Sequence, residues 1–362
     1  MQIEPFALER WFATHEADNL MLAESGIRPL DPTRFDLVPD DFGYVIPTGG
    51  DPDLRGRIGD RYDRAADEVL LTCGTQEANF VTFAALMGDH AVVVTPTYQS
   101  LHAIPEALGE VTRVELDAAD GWRLDPDAVA EAIRPDTALV VLNNPNNPTG
   151  RIHDADTVRA VYEHAADAGA YLLCDEVYRP FAGADDGAVE LPPPAASLGP
   201  YGVSTCGLSK GYGLAGLRFG WLAGPREVVE AAAQWKDYTT ISPPAVSQRV
   251  AEQVLDPETE AEILAENRDL AARNRDLVGA FVDRHDLGWP DPETGVNAFI
   301  EVPDGFFGGQ SFCERVVEEC SVVLAPGEAF DQPDYFRLGF GDETAHLEEG
   351  LERLDGLLER HA

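Results

Sequence analysis

Lysine is almost missing from this chain. Its 362 residues hold only Lys210 and Lys236, against 24 arginines. Basic residues of both kinds are scarce, 26 against 65 acidic ones, which leaves a formal net charge of −39. A field of that sign and size repels nucleic-acid phosphates and anionic membranes, so neither is expected as a partner. Cysteine is sparse and odd in number, at 73, 174, 206, 313 and 320, with no C-x-x-C spacing. That pattern argues against a disulfide framework and a thiolate metal site, and points to buried free thiols in a reducing cytoplasm. Long apolar runs are absent as well. The longest, TALVVLNN, suits one buried strand and falls far short of the roughly 18 residues of a membrane span. The opening MQIEPFALERWF lacks the basic start and apolar run of a signal peptide. A cytoplasmic location is the expectation.

What is present is ordinary globular material, 44% hydrophobic and 25% charged, at a length that accommodates two domains. Residues 1 to about 30 read as helical, with FALERWFATH amphipathic, and a proline-rich loop follows. From Glu68 a rhythm begins. EVLLTC, HAVVVTP, EVTRVEL, TALVVLNN and AYLLCDEV read as strands. Between them lie helical segments: TQEANFVTFAALMG, a broken YQSLHAIPEAL, DPDAVAEAI capped by Asp125 with Pro126 in its first turn, and DADTVRAVYEHAADAG closed by Gly169. Short apolar runs alternating with helices predict a mostly parallel sheet covered on both faces, a three-layer α-β-α arrangement of the α/β class. GADDGAVELPPPAASLGP reads as a surface loop, YGVSTCGLS and LRFGWLAG as two more strands, and residues 225 to 285 as a long helical region. The last ~75 residues mix strands (NAFIEV, YFRLGFG) with helices. This α+β style predicts a smaller second domain, giving a large domain of 44–285 and a small one of 1–43 plus 286–362.

Ligands of an open parallel sheet bind beyond the carboxyl ends of its strands. The segments expected there are CGTQEA, TPTYQSL, NNPNNPTG, CDEVY and the Ser209-Lys210 pair after YGVSTCG. Their joint order carries more information than any one of them. The pieces NNPNNPTG, DEVY, SKGYGLAGLRFGW and FRLGFG appear in that order, with Asn147 to Asp175 spanning 28 positions, Asp175 to Tyr178 three, Asp175 to Lys210 35 and Lys210 to Arg218 eight. In this the chain resembles the fold-type-I pyridoxal-phosphate enzymes of the class I/II aminotransferase superfamily, from about Tyr44 to the C-terminus.

The resemblance implies pyridoxal 5'-phosphate as cofactor, held through a Schiff base to Lys210. Chemistry agrees, because an aldehyde needs a primary amine and only Lys210 and Lys236 can supply one. Lys236, in AAAQWKDYTT, reads as a helix-surface residue; Lys210 follows a strand and sits among small residues that let a bulky group approach. Lys210 is then also the acid–base group at the substrate Cα. Asp175 ends a buried strand and needs a partner, which the protonated pyridine nitrogen would be; capping a nearby helix is the alternative. Tyr178 and Asn147 are expected at the ring's phenolic oxygen, unless Asn147 is only a turn residue. Thr75 and Gln76 open a helix whose free N–H groups face an anion, and Arg218 and Ser209 would add a fork and a hydroxyl to the phosphate. Relatives often carry Ser or Thr three residues before the lysine, where this chain has Gly207. Tyr98 stands where relatives stack an aromatic on the ring, or is a core tyrosine. Tyr44 resembles the tyrosine that reaches the phosphate of a neighbouring subunit, which implies a homodimer with shared sites.

Arg337, between Phe336 and Leu338, is costly in a strand unless paired; its family role is bidentate capture of a substrate α-carboxylate, with a structural ion pair as the alternative. Arg28, in LAESGIRPL, would meet a distal acidic group of substrate or else lie on the surface. LERWF followed by SGI resembles amino-acid cyclases of the capreomycidine-synthase type. The reaction expected is transfer of an amino group between an amino acid and a 2-oxo acid. A lyase, cyclase or decarboxylase in the same fold is the alternative, and Arg337 is less expected in a decarboxylase. A ligand-sensing regulator would need an added DNA-binding domain, for which there is no room. No metal site is expected.

A surface rich in acids and poor in lysine resembles that of a salt-adapted protein, and salt dependence is the expectation, because self-repulsion at −39 opposes compaction unless cations screen it. Circular dichroism across a KCl series should show folded signal and melting temperature rising with salt; full folding and activity in dilute buffer would refute this.

Overall fold

The computed structural model describes residues 3–182 and 191–361. The proline-rich stretch expected as a loop therefore lies partly outside the described residues, at 183–190. The chain opens with α1 (Ala7–His15) and β1 (Leu20–Met21), then runs through irregular backbone to α2 (Pro52–Gly59). Only part of the first 30 residues is thus helical. The Leu8 and Trp11 side chains of α1 are buried, and Trp11 Nε1 donates to the Leu324 carbonyl at 2.7 Å. The arm is held by the far end of the chain.

The alternating region follows as β2 (Val69–Thr72), α3 (Thr75–Leu86), β3 (His90–Thr95), α4 (Ser100–Leu108), β4 (Glu110–Glu115), α5 (Pro126–Ala132), β5 (Thr137–Asn143), α6 (Ala155–Asp167), β6 (Tyr171–Asp175), β7 (Gly202–Gly207) and β8 (Gly220–Ala223). These strands form one seven-stranded sheet in the order β2-β8-β7-β6-β5-β3-β4. Only β8 runs against the rest, pairing antiparallel with both β7 and β2. Side chains alternate across the pleat, and here both faces are covered. Val92, Val94, Val140, Leu142 and Leu172 join one core cluster, while Ala91, Val93, Leu139, Val141 and Leu173 join another. Burial on both sides is why these strands read as unbroken apolar runs. Asp125 caps α5 by accepting from the Asp127 amide, with Pro126 at the first helical position. The segment expected as a broken helix is one continuous turn set, α4, with Pro105 inside it.

Three helices, α7 (Arg226–Lys236), α8 (Ala245–Val254) and α9 (Pro257–Arg284), occupy the long helical region. The chain ends with β9 (Asn297–Glu301), α10 (Gly309–Cys320), β10 (Val322–Val323), β11 (Ala325–Pro326), β12 (Tyr335–Gly339) and α11 (Thr344–His361). β11, β12 and β9 make an antiparallel sheet, and β10 pairs in parallel with β1. Residues just after β1 continue this contact, since the Gly339 amide donates to the Leu22 carbonyl and the Arg28 amide to the Gly341 carbonyl. Four of the five cysteines are buried free thiols; Cys73 is half-buried. Among the described residues no helix is long and apolar enough to cross a membrane.

Lys236 is not a surface residue. It is 1% exposed, with Nζ donating to Thr240 Oγ1 at 2.5 Å and lying 3.8 Å from Glu77 Oε2. Val228, Ala232 and Lys236 fall four apart on the buried stripe of α7, so the lysine continues an apolar face. Glu77 in turn accepts from the Cys73 amide and from Thr239 and Thr240, which fixes the first turn of α3.

Glu176, just past β6, is 2% exposed. One carboxylate oxygen accepts from the Ala195 amide at 2.8 Å and Ser204 Oγ at 3.0 Å; the other has no partner among the described residues. Burial pushes this carboxyl up from 4.5 to about 7, with Arg179 opposing. The folded protein thus holds the proton more tightly than the unfolded chain, so this group lowers stability progressively as pH rises from about 4.5 to 7. Glu176→Gln is expected to be more stable than the parent at pH 8, by on the order of 2 kcal/mol. In denaturant melts over pH the gain should shrink as pH falls through 7; a pH-independent difference would contradict the assignment.

Candidate active site

The strands β2, β3, β5, β6 and β7 are mutually parallel, so their carboxyl ends share one edge of the sheet. A cavity of about 340 Å³ opens there. Thr75, Gln76, Tyr98, Asn147, Asp175, Tyr178, Ser209, Lys210 and Arg218 all line it. Residues from across 143 positions of sequence therefore meet in one chamber (75 to 218). Arg337 lines an adjoining recess that also contains Tyr98 and Lys210. Tyr44 is elsewhere, 70% exposed on the surface beside Phe42.

Asp175 ends β6 and is 5% exposed. Its Oδ2 accepts from Asn79 Nδ2 at 2.7 Å and its Oδ1 from the Val177 amide at 3.0 Å. Thr205 Oγ1 donates to Asn79 Oδ1 at 2.6 Å and so fixes the amide's orientation. Burial pushes the Asp175 carboxyl above its ordinary value, against the two hydrogen bonds and the charge of Lys210. A further cation facing Asp175 would oppose that upward push and favour the carboxylate. The Val177 amide lies two residues on in the chain, so this carboxylate caps its own turn and no remote helix.

Lys210 follows β7, and its Nζ donates to Ser25 Oγ at 2.8 Å. Ser25 belongs to the arm after β1, which the Ile27 amide also ties to the Lys210 carbonyl at 3.4 Å. Tyr98 packs against Phe6 at 5.1 Å between ring centroids, and burial pushes its hydroxyl pKa up. Tyr178 is 4% exposed and stacks near Phe181.

Arg337 sits in β12 opposite Phe299 and has no solvent exposure. Its Nη1 donates to Asn147 Oδ1 at 2.9 Å and its Nη2 to the Ala23 carbonyl at 2.6 Å, while Nε has no acceptor. Its carbon Cζ lies 5.0 Å from the centre of the Phe330 ring. Among the described residues no carboxylate forms an ion pair with it; burial pushes its pKa down, opposed by the nearby Tyr178, Glu24 and Tyr98. This is a desolvated cation held by neutral groups, a state that favours an arriving anion. Arg28, by contrast, is spent: Nε pairs with Glu343 at 2.8 Å and Nη1 donates to Asn267 at 3.2 Å.

The first turn of α3 makes the other end of the chamber. Gly74, at φ +82°, precedes it, and a side chain there would collide with the Arg218 guanidinium. Arg218 donates to the Ala215 carbonyl at 2.9 Å and to Ser209 Oγ at 3.4 Å. Thr75 is buried, and its hydroxyl has no partner. A Cβ at Gly207 would lie 2.6 Å from that hydroxyl and 2.7 Å from the Phe219 carbonyl oxygen. The glycine therefore leaves room that the Thr75 hydroxyl occupies. A helix N-terminus, an arginine fork and an orphan hydroxyl are a donor set for a phosphate-sized anion.

Sequence reasoning missed Asn79, Ser25 and the part played by Thr205. Asn79 had a signal, since it falls four residues after Thr75 on the same face of α3. Ser25 had none, because only the docking of the arm brings it to Lys210.

The family model for aminotransferase class I and II matches residues 39–354. Capreomycidine synthase of Streptomyces vinaceus is 33% identical over 332 residues, covering 87% of this chain and 81% of its own length. An aspartate aminotransferase of Streptomyces avermitilis is 28% identical over 334 residues, 86% of this chain and 81% of the relative. Among solved structures, a PLP-dependent aminotransferase from Streptococcus suis superposes with a TM-score of 0.91 at 29% identity, covering 100% of this chain and 99% of that one.

Gly207→Ser tests the packing at the anion end. The forced contact with Thr75 and Phe219 is expected to cost about 1–3 kcal/mol in chemical denaturation. Adding Thr75→Ala should restore part of the loss; no loss in the single variant would show that the chamber floor is slack.

Proposed function

The chain belongs to the aminotransferase class I and II family, and from that membership we infer that it transfers an amino group between an amino acid and a 2-oxo acid with pyridoxal 5'-phosphate as cofactor. One observation carries the reading: Lys210 Nζ, the buried Asp175 carboxylate and the unfilled anion donors of Thr75 and Arg337 converge on one cavity system. The residues present fit the cofactor. Thr75, Gln76, Ser209 and Arg218 would hold its phosphate, Asp175 its ring nitrogen, Asn147 and Tyr178 its phenolic oxygen, and Tyr98 the ring face. When bound, it supplies an electrophilic carbonyl carbon and a ring that draws electrons from the substrate Cα.

The chain's own groups do the rest. Arg337 receives the α-carboxylate; Asn147 and the Ala23 carbonyl fix its fork, and its free Nε adds a donor. Lys210 Nζ takes the proton from the Cα of the amino donor and, in the second half-reaction, delivers one to the Cα of the 2-oxo acid, with Ser25 Oγ as its resting partner. Asn79 and Thr205 hold Asp175 in one orientation, so the carboxylate does not reorganise as charge develops. The arm after β1 lies against Lys210 through Ser25 and the Ile27 amide.

We also propose the division into a large unit of 44–285 and a small one of 1–43 plus 286–362, and a homodimer with Tyr44 turned toward a second copy. Phe42, Tyr44, Ile46 and Tyr238 are 85%, 70%, 82% and 87% exposed, an apolar group that a partner surface would cover.

The alternative reading, a lyase or cyclase, draws support from the 33% identity to capreomycidine synthase. Purified protein loaded with the cofactor and mixed with single amino acids in KCl separates the two. Loss of the cofactor's visible band with release of one equivalent of 2-oxo acid is expected. Ammonia or CO2 release, or a rearranged amino acid without the amine form of the cofactor, would overturn transfer in favour of the second reading. Lys210→Ala should lower the rate at least ~10³-fold and abolish the band of the resting enzyme; a surviving band would refute the lysine's role.

A further inference from the structure

Lys236 takes no part in the reaction derived above, yet its charge is buried close to the site. Its side chain is 1% exposed, and the Glu77 side chain beside it 8%. Glu77 is the third residue of α3, whose first two, Thr75 and Gln76, line the anion end of the chamber. The Glu77 carboxylate folds back over the start of that helix, where Oε2 accepts from the Cys73 amide at 2.6 Å. Two peptide steps, spanning at most about 7.6 Å, join that amide to the amide of Thr75. The carboxylate charge therefore stands within about 10 Å of the Thr75 amide. A second anion at the same helix end meets it as a like charge, and both draw on one positive terminus. Among the described residues Lys236 is the cation paired with Glu77, with Nζ 3.8 Å from Oε2. The Thr240 hydroxyl joins them a second time, accepting from Nζ at 2.5 Å and donating to Glu77 Oε1 at 2.7 Å. Burial lowers the Lys236 pKa, and the charge of Glu77 is the first to oppose that.

We propose that Lys236 is a positioning residue for phosphate binding: it neutralises Glu77, which would otherwise repel the anion, while Glu77 holds the Cys73 amide and the first turn of α3 in place. The pair divides two tasks that conflict. The turn needs an acceptor for its amide, and the best acceptor carries the wrong charge for the neighbouring site. An ammonium behind the carboxylate removes the conflict, so the Thr75 hydroxyl and the Arg218 fork act on an anion without an opposing field. The effect resists salt better than a surface pair would, because both side chains are buried. A buried ion pair that served folding alone behaves differently. Breaking it from either side would harm stability and the binding of every ligand alike. The proposal rests on the reading of this end of the chamber as the place of the cofactor's phosphate.

The test titrates the full chain, freed of cofactor and at one fixed KCl concentration, with pyridoxal 5'-phosphate and with pyridoxal. Pyridoxal has the same aldehyde and ring but no phosphate. Binding is read from the visible band, and the ratio of the two affinities measures the phosphate preference, in which changes common to both ligands cancel. Lys236→Met is expected to lower that ratio about tenfold, and Glu77→Gln to raise it several-fold. The double substitution should return it to within about twofold of the parent. Opposite signs for the two halves of one pair follow from charge and not from packing. Should Lys236→Met fail to fold, Glu77→Gln against the double variant still reads the charge of Lys236, and the double variant should show the lower ratio. A ratio that is the same in all variants, or is lowered by both single substitutions, overturns the proposal and leaves the cofactor assignment standing. A parent that binds the two ligands equally overturns the phosphate end and the proposal together. Binding of neither ligand would overturn the whole functional reading.

Discussion

A guanidinium shut away from solvent has to be met by acceptors, and Arg337 finds them in two distant parts of the chain. Its fork reaches Asn147, just after β5 of the large sheet, and the carbonyl of Ala23 in the N-terminal arm. The small antiparallel sheet, the arm and the carboxyl edge of the large sheet are thereby tied at one point. Everything else at the site is arranged around that knot. The arm that accepts from Arg337 also carries Ser25, which holds the Lys210 amine, and Glu24, which faces the space beyond it. Because the acceptors are neutral, the arginine's charge is offset by no direct ion pair among the described residues, only at longer range by Glu24. The fold in this way stores the affinity for an anion.

The opposite end of the chamber works by close approach. Gly74 and Gly207 permit the backbone, the Arg218 fork and the Thr75 hydroxyl to crowd around one small volume. Neither glycine tolerates a side chain without displacing a donor. Between the two ends, Asp175 is held by an amide that a threonine in turn holds, so the buried carboxylate is fixed before any ligand arrives. An acidic surface surrounds all this. Within it the two lysines are each held by side-chain partners, one by Ser25 and the other by Thr240 and Glu77.

Much of the fold was legible because its signals are short-range. The strand–helix alternation from Glu68 follows from apolar runs and turn residues, and both faces of the sheet are buried as those runs imply. Nine of the expected site residues line one chamber, since strand ends of a parallel sheet must share an edge. The misreadings have physical causes. Pro105 was accommodated inside a helix instead of breaking it. Lys236 was placed at the surface because its charge outweighed its spacing, although Val228 and Ala232 mark the stripe on which it is buried.

From sequence alone came the chemical inventory: one lysine among small residues, an aspartate at a strand end, a strand arginine and a helix opened by Gly74, in a spacing shared with a known family. Tertiary structure decided who satisfies whom. Lys210 and Ser25 stand 185 residues apart, and Arg337 and Asn147 190. Propensity and periodicity act over a few residues, whereas a buried polar group takes whatever partner the packing of remote segments delivers. So the arginine's neutral acceptors and the hydroxyl that fills the space at Gly207 were decided only when those segments docked.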